Sequence, residues 1–464
     1  MIYKSFENNI ILENIFIYKI KVIEINMANI NLIEIGRFPN VSFNDKSRRT
    51  IEEILKPVNI SFSVENVSRA TTHEICEGND SYTQQSMRYV KMNEGAFIIP
   101  PHFSASLKKE FSNTMNFLLK NYMGLSEIKD EFKDEKGRPN PNWFKFAPIE
   151  DNRYALSLAS PSNILVTMGG SKLLNFFGSL SDTFESRQIF HSLFPYLPKD
   201  LAELCFEEIG SKDFSLIAKA HRKDLDKALN QAYVIMEDMR FERAGLGALT
   251  STNAKSPSLL FEEYEEKGVT SEKLKLVAQR VLGYGHNSIA EHARSGLGLG
   301  MSLVTYHQFQ RHRIPFNVRE NFRDIPLDRD VILPPRISQT QEGREIFESG
   351  INAARKLRKK IMEEDPDYNH FALPNGTKIA VYSSMNATAF FHIANERLCN
   401  NAQWEFQRMM EQLALQLRER EPELYESSVP KCIPNGGCPE GKLTCGKYAE
   451  VRKKYLPQKN KTRI

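Results

Sequence analysis

The chain has 464 residues, of which 41% are hydrophobic and 26% charged, with a formal net charge of +4. That balance describes an ordinary globular protein with material for sizeable cores. It argues against the strongly basic face of a nucleic-acid binder, and no uninterrupted apolar run has membrane-spanning length. Six cysteines in a chain this long do not make a disulfide framework.

The N-terminal "NNIILENIFIYKIKVIEINM" is apolar but broken by Glu13, Lys19, Lys21 and Glu24, and it has no small-residue cleavage site. Its alternation reads as strand rather than leader; Met27 begins a more typical opening, "MANINLIEIGRF", and residues 1–28 read as an extension before the first domain. "NLIEIGRF" and "ISFSVENV" follow with strand-like alternation. "SYTQQSMRYV" (Ser81 to Val90) is weakly similar to "NVRENFRDIP" (Asn317 to Pro326), and each soon leads to a Pro-Pro pair. "VTMGGSKLLNFF" (Val166 to Phe177) likewise matches "SSMNATAFFHIA" (Ser383 to Ala394), at offsets of roughly 220 to 235 residues. The chain therefore reads as two copies, 29–225 and 226–425, joined through the amphipathic "AHRKDLDKALNQAYVIMEDMRF". Strands mixed with long helices give a mixed α/β or α+β class. One such helix is "AQWEFQRMMEQLALQLRERE", whose Trp404, Met409, Leu413 and Leu417 share a buried face.

Three segments of the second copy carry chemistry. "YGHNSIAEH" (Tyr284 to His292) reads as a helix start, with Asn287 or Ser288 capping and Glu291 at capping-box distance from Ser288. Helix N-termini receive anions. "QFQRHRIPFNVREN" (Gln308 to Asn321) holds Arg311, His312 and Arg313. As strand or as helix, such a pair of guanidiniums can fork onto phosphate; the plainer reading is a solvated basic turn. "NERLCNNAQWE" sets Arg397 before amides and Trp404, a combination suited to a planar polar ligand. The tail, 426–464, contains Cys432, Cys438 and Cys445. Three thiolates need a fourth ligand to hold zinc, and no nearby histidine supplies one, so reduced thiols and no metal are expected.

Together, "YGHNSIAEH", "QFQRHR" and "NATAFFHIANERLCNNAQWE" resemble the ordered motifs of the flavin-dependent thymidylate synthases. The resemblance implies an α+β fold of two tandem domains forming a pseudo-dimer. It also implies reductive methylation of dUMP to dTMP with methylenetetrahydrofolate, FAD and NADPH. The second copy departs from the family after RHR: Arg319 stands where the family has Glu, and Asn321 where it has Ser, while Arg323 survives. The first copy keeps that segment as Gln84, Ser86 and Arg88, and keeps Arg153 where the second has His370. At RHR spacing it reads Cys76 to Gly78, and it has Leu180 where the second copy has Arg397.

In the family, one subunit supplies the Gln, the RHR arginine and the late Arg, and another supplies the Ser-x-Arg loop and the earlier Arg. The resemblance therefore implies one dUMP pocket from Gln308, Arg311 and Arg397 with Gln84, Ser86, Arg88 and Arg153, in which Arg397 is the catalytic cation. Arg311, His312, Arg313, Ser288, His286, Asn386, Asn175 and His392 fall at FAD positions, His392 replacing the usual Asn. The other pocket, with Arg323 and His370 against Glu77 and Leu180, is expected to be dead, leaving Arg319 and Asn321 free to drift. A homodimer of fused chains (a pseudo-tetramer), a cytoplasmic location, and no nucleic-acid or membrane partner are expected. The alternative is a catalytically inactive flavin- or nucleotide-binding relic.

Overall fold

The computed structural model describes residues 28–78, 81–88, 90–92, 97–128, 147–266, 271–422 and 428–456. The strand-like reading of the N-terminal extension lies outside them. Two four-stranded antiparallel sheets are built alike. The first has β1 (Asn29–Ile35), β2 (Asn59–Ser68), β3 (Ser81–Gln84) and β4 (Pro161–Gly169), in the order β1-β2-β4-β3. The second has β5 (Val234–Ile235), β6 (Arg294–Ser302), β7 (Phe316–Arg319) and β8 (Lys378–Asn386), in the order β5-β6-β8-β7. The fold is α+β, with helices packed on both sheets.

The repeat is visible atom by atom. Ser68 ends β2 and caps the helix Arg69–Glu77 by accepting from Thr71 N–H; Ser302 ends β6 and caps Leu303–Phe309 by accepting from Thr305 N–H. Each serine gives its N–H and its hydroxyl to one buried carboxylate, Glu185 in the first copy and Glu405 in the second. This register makes Glu77 the counterpart of Arg311 and Glu74 that of Gln308. The RHR match in the first copy therefore begins one residue later than Cys76. Gln84 sits opposite Ile164 in β4, and Arg319 opposite Val381 in β8, which makes Gln84 and Arg319 counterparts.

Counterparts also touch each other, as residues on a twofold axis do. Nδ1 of His73 lies 3.1 Å from Nδ1 of His307. Ser157 bridges Pro374, flanked by Leu158 N–H to Leu373 O (2.9 Å) and Asn375 N–H to Leu156 O (2.7 Å). The long helices Ala105–Glu127 and Gln341–Glu364 pack together. Leu107, Phe111, Met115, Leu118, Tyr122 and Leu125 recur every three or four residues along the buried face of the first. Gly350 lets the second approach closely: a Cβ there would stand 2.9 Å from Asn121 Nδ2. One hydrophobic core, with Phe111 and Leu156 from the first copy and Phe309, Phe371 and Phe390 from the second, spans the halves. Helix Trp404–Arg420 buries Met409, Leu413 and Leu417, as its spacing predicts.

The segment read as the joint is a helix, Arg222–Gln231, followed by β5, and it packs on β6 and β8. "YGHNSIAEH" does not start an α-helix. Asn287–His292 is a short 3-10 turn whose cap, His286, makes no side-chain cap bond, and the chain runs from it into β6.

Candidate active site

The RHR triplet is neither strand nor helix. It follows the helix Leu303–Phe309 in a turn, with Arg311 exposed and His312 buried. Arg313 reaches back to the first copy: its Nη2 donates to Tyr82 O at 2.9 Å and its guanidinium lies 4.6 Å from the Tyr82 ring. The Tyr82 hydroxyl in turn donates to Gln310 O. The turn is thus clamped onto β3, the strand that leads to Gln84, Ser86 and Arg88.

Arg397 closes the helix Ala387–Arg397. Its Nε donates to His312 Nε2 at 2.9 Å, and its guanidinium stacks 4.8 Å from Phe406. Burial, then the Arg397, His392 and Arg311 charges, push His312 down to about 3, so its Nε2 is an acceptor at neutral pH. Its ring orients Arg397, a role the sequence does not suggest. Burial and then Arg311 lower Arg397 to about 10, which leaves it a cation.

Arg88 of the first copy crosses to the second. Its Nη2 donates to Asn401 O at 2.9 Å, and its Nε is 3.1 Å from Glu150. Glu150 also faces Arg153, at 3.7 Å from Nη2. Arg153 is buried, with Nε held by Glu150 O and Nη2 facing Glu150 at ion-pair but not hydrogen-bond distance. Gln308 is buried with Nε2 unpaired. Gln84 gives its amide to Thr72 Oγ1 (2.8 Å) and Ser162 Oγ (3.0 Å), leaving Oε1 unpaired. Ser86 accepts from Arg88 N–H and lines a separate groove with Met87, Val90 and Asn163.

Sequence reading missed Arg69. It is buried at the start of the helix Arg69–Glu77, with Nε and Nη1 unpaired. Burial and the Arg153 and Arg311 charges push it down to about 9. Its counterpart is Leu303. A charged residue in place of an apolar one at the same register was the signal available, and it needed the Ser68–Ser302 alignment to be read.

Of the expected flavin residues, Arg311, His312, Arg313 and His392 line one cavity of about 190 Å³, with Ala389 and Ile393. His392 also lines a second cavity of about 620 Å³, running past Thr388 to Asn287. Ser288 and His286 are exposed beside Asn287. Asn386 is spent on capping, accepting from Ala389 N–H at 2.9 Å. Asn175 donates to Gly78 O in the first copy, and it does not line the cavity that holds Arg311, His312 and Arg313. In the AQWE stretch Trp404 Nε1 donates to Asp151 (3.0 Å) and Glu405 accepts from the Tyr154 hydroxyl (2.6 Å), tying the halves together.

The symmetric pocket is filled by its own side chains. Arg319 ion-pairs with Glu77 and lies between Phe214 and Phe322, 4.0 and 3.9 Å from their rings. The Tyr306 hydroxyl and Lys212 also face Glu77, at 3.2 and 3.8 Å. Glu74 takes the N–H and hydroxyl of Ser181, and Leu180 is buried beside them. Arg319 is therefore not free to drift, and neither is Asn321, which donates to Ser215 Oγ and accepts from Arg323 N–H. Arg323 binds Asp367, and buried His370 is held neutral chiefly by desolvation.

Fold and site thus define a duplicated α+β protein in which Arg69, Arg88 and Arg153 of the first copy lie near Arg311 and Arg397 of the second. The thymidylate synthase complementing protein family matches the chain twice, over residues 43–193 and 244–423, and the chain belongs to that family as a tandem form. Similar proteins include flavin-dependent thymidylate synthases of Geobacter sulfurreducens (28% identical, 43% of this chain and 87% of that one) and Clostridium tetani (29%, 41% and 84%). The one from Pyrococcus furiosus is 32% identical over 38% of this chain and 78% of its own. Among the described residues no helix is long and apolar enough to cross a membrane.

Proposed function

We propose that the chain is an FAD-dependent thymidylate synthase that converts dUMP to dTMP at one composite site per chain. The observation that carries this reading is the crossing of Arg88 from the first copy to Asn401 beside Arg397, while the symmetric position is closed by Arg319 and Glu77. The phosphate falls to Arg69, Arg88, Arg153 and Arg311; buried Arg69, whose Nε and Nη1 have no hydrogen-bond partner, suits a dianion. Gln308 Nε2 is a further free donor for the nucleotide.

Arg397, fixed by His312 and Phe406, is placed at the N3/O4 edge of uracil. A cation held there stabilises charge spreading from N3 and raises the nucleophilicity of C5. The cavities that meet at His392 give FAD a course along the helix Ala387–Arg397, with Arg311 at one end and Asn287 at the other. When bound, reduced FAD supplies the hydride; methylenetetrahydrofolate supplies the carbon and NADPH the reducing equivalents. The relic reading has one observation in its favour: Gln84, at the family's Glu, is turned onto Thr72 and Ser162.

Calorimetric titration of FAD-loaded protein with dUMP tests the division of labour. One dUMP per chain is the expected outcome. Two equal sites, or none, overturn it. Binding of one dUMP without dTMP formation in the presence of the folate and NADPH selects the relic.

A further inference from the structure

The tail cysteines find a fourth partner in the fold. Cys399 follows the helix Ala387–Arg397, and Cys432, Cys438 and Cys445 come from the tail, beyond the end of the family match at residue 423. All four line a single cavity of about 20 Å³, together with Lys431 and Tyr448. That is room for one occupant of about the size of a water molecule. The chain has six cysteines, and the two others, Cys76 and Cys205, are buried elsewhere.

We infer that Cys399, Cys432, Cys438 and Cys445 form a structural site for a tetrahedral, thiolate-preferring divalent ion, zinc by class. Four cysteines and no open position is the donor set of a closed zinc site. The surroundings resemble the outer shell such sulfurs require: Asn400 Nδ2 donates to Cys445 Sγ at 3.8 Å. Lys431, tied to Glu396 (3.2 Å) and Glu440 (2.5 Å), places a cation beside thiolates whose complex with a divalent ion carries net negative charge.

Among the described residues no three such side chains already converge as a metal site, so binding draws the sulfurs inward. The tail can follow: Gly436, Gly437, Gly441 and Gly446 have open space around them. Binding exchanges thiol protons for metal–sulfur bonds, one proton released to solvent per cysteine, with no change of oxidation state. The clasp would hold the tail against the Cys399–Asn401 loop, whose Asn401 carbonyl anchors Arg88.

The full chain, expressed with zinc and purified under reducing conditions, is assayed for metal by plasma mass spectrometry and for thiols by a chromogenic reagent in denaturant. About one zinc per chain is expected, lost in Cys438→Ser/Cys445→Ser and retained in Cys205→Ala. The zinc-dependent protection of thiols in the native wild type gives the same answer without a variant: chelator should expose them. No zinc with six free thiols overturns the inference, and so does no zinc with disulfide in place of thiol. Iron with sulfide overturns it, as does zinc that persists in the double variant.

Discussion

The two pockets stand on the same scaffold and have opposite electrostatics. In the open one, Glu150 bridges Arg88 and Arg153, Arg69, Arg311 and Arg397 lie near them, and Arg69 Nε and Nη1 and Gln308 Nε2 have no hydrogen-bond partner. In the closed one the counterpart of Arg311 is Glu77, that of Gln308 is Glu74, that of Arg397 is Leu180, and that of Gln84 is Arg319. The acid and the arginine there neutralise each other, and Phe214 and Phe322 cover them. An open pocket needs its charge unmet so that a ligand can meet it. A pocket relieved of ligand is stable only when its own groups pair, because buried charge without a partner is costly. On the proposed reading each half keeps the parts the other lacks, and the closed side is packed by its own side chains.

The sharpest break in that comparison is a change in the closed pocket. Arg319→Met leaves half-buried Glu77 with only Lys212 and Tyr306 as partners and should cost about 3 kcal/mol in urea unfolding. Arg319→Met/Glu77→Leu should recover most of that, and dTMP formation per folded molecule should stay at the wild-type level. If the double variant folds and is slow, the closed pocket takes part in catalysis. The mirror experiment is in the open pocket. Arg397→Ala should cut dTMP formation about a hundredfold or more while Leu180→Ala loses only packing energy. Equal loss of rate in both would put a working site in each half.

Arg69 sharpens the comparison further, because Leu303 holds its place in the closed pocket. Arg69→Leu should weaken dUMP binding by about ten- to a hundredfold, the worth of a lost charged hydrogen bond. It should also raise the urea midpoint of the free protein, since it removes a buried guanidinium with two unpaired nitrogens. Unchanged dUMP affinity, measured by calorimetry, would take Arg69 out of the site.

The motifs that carry chemistry were legible because they are local. "QFQRHR" and the capped helix before it occupy neighbouring residues, and β1, β2 and the helix Trp404–Arg420 follow from alternation or helical spacing. What escaped was set by contacts distant in sequence. His312 serves Arg397 across 85 residues, and Trp404 is spent on Asp151 across 253. Arg319 looks like a lost glutamate until Glu77 is seen beside it, because a charge swap preserves no motif. The helical reading of "YGHNSIAEH" failed for a different reason. A capping box needs helix behind it, and here the chain enters β6 within two residues of His292.

The smallest effect concerns the axis between the pockets. His73 and His307 face each other there with Nδ1 atoms 3.1 Å apart, and Gln310 Oε1 is 2.9 Å from the same His73 nitrogen. Burial, with neighbouring positive charges adding to it, holds both well below the usual histidine range. A histidine depressed in the folded state contributes stability above its unfolded pKa near 6.5, and that stability is lost as pH falls toward the folded value. Each such ring makes the protein lose about 1.4 kcal/mol per pH unit below 6.5, because the unfolded chain takes up a proton that the folded one refuses. His307→Gln keeps an uncharged polar side chain and removes one of these titrations. Between pH 7.5 and pH 5 it should therefore lose about 2 kcal/mol less than the wild type in urea unfolding, whatever its stability at pH 7.5. An identical acid loss in both proteins would mean that His307 is protonated at the axis, and that the two halves meet through a charge rather than through a neutral pair.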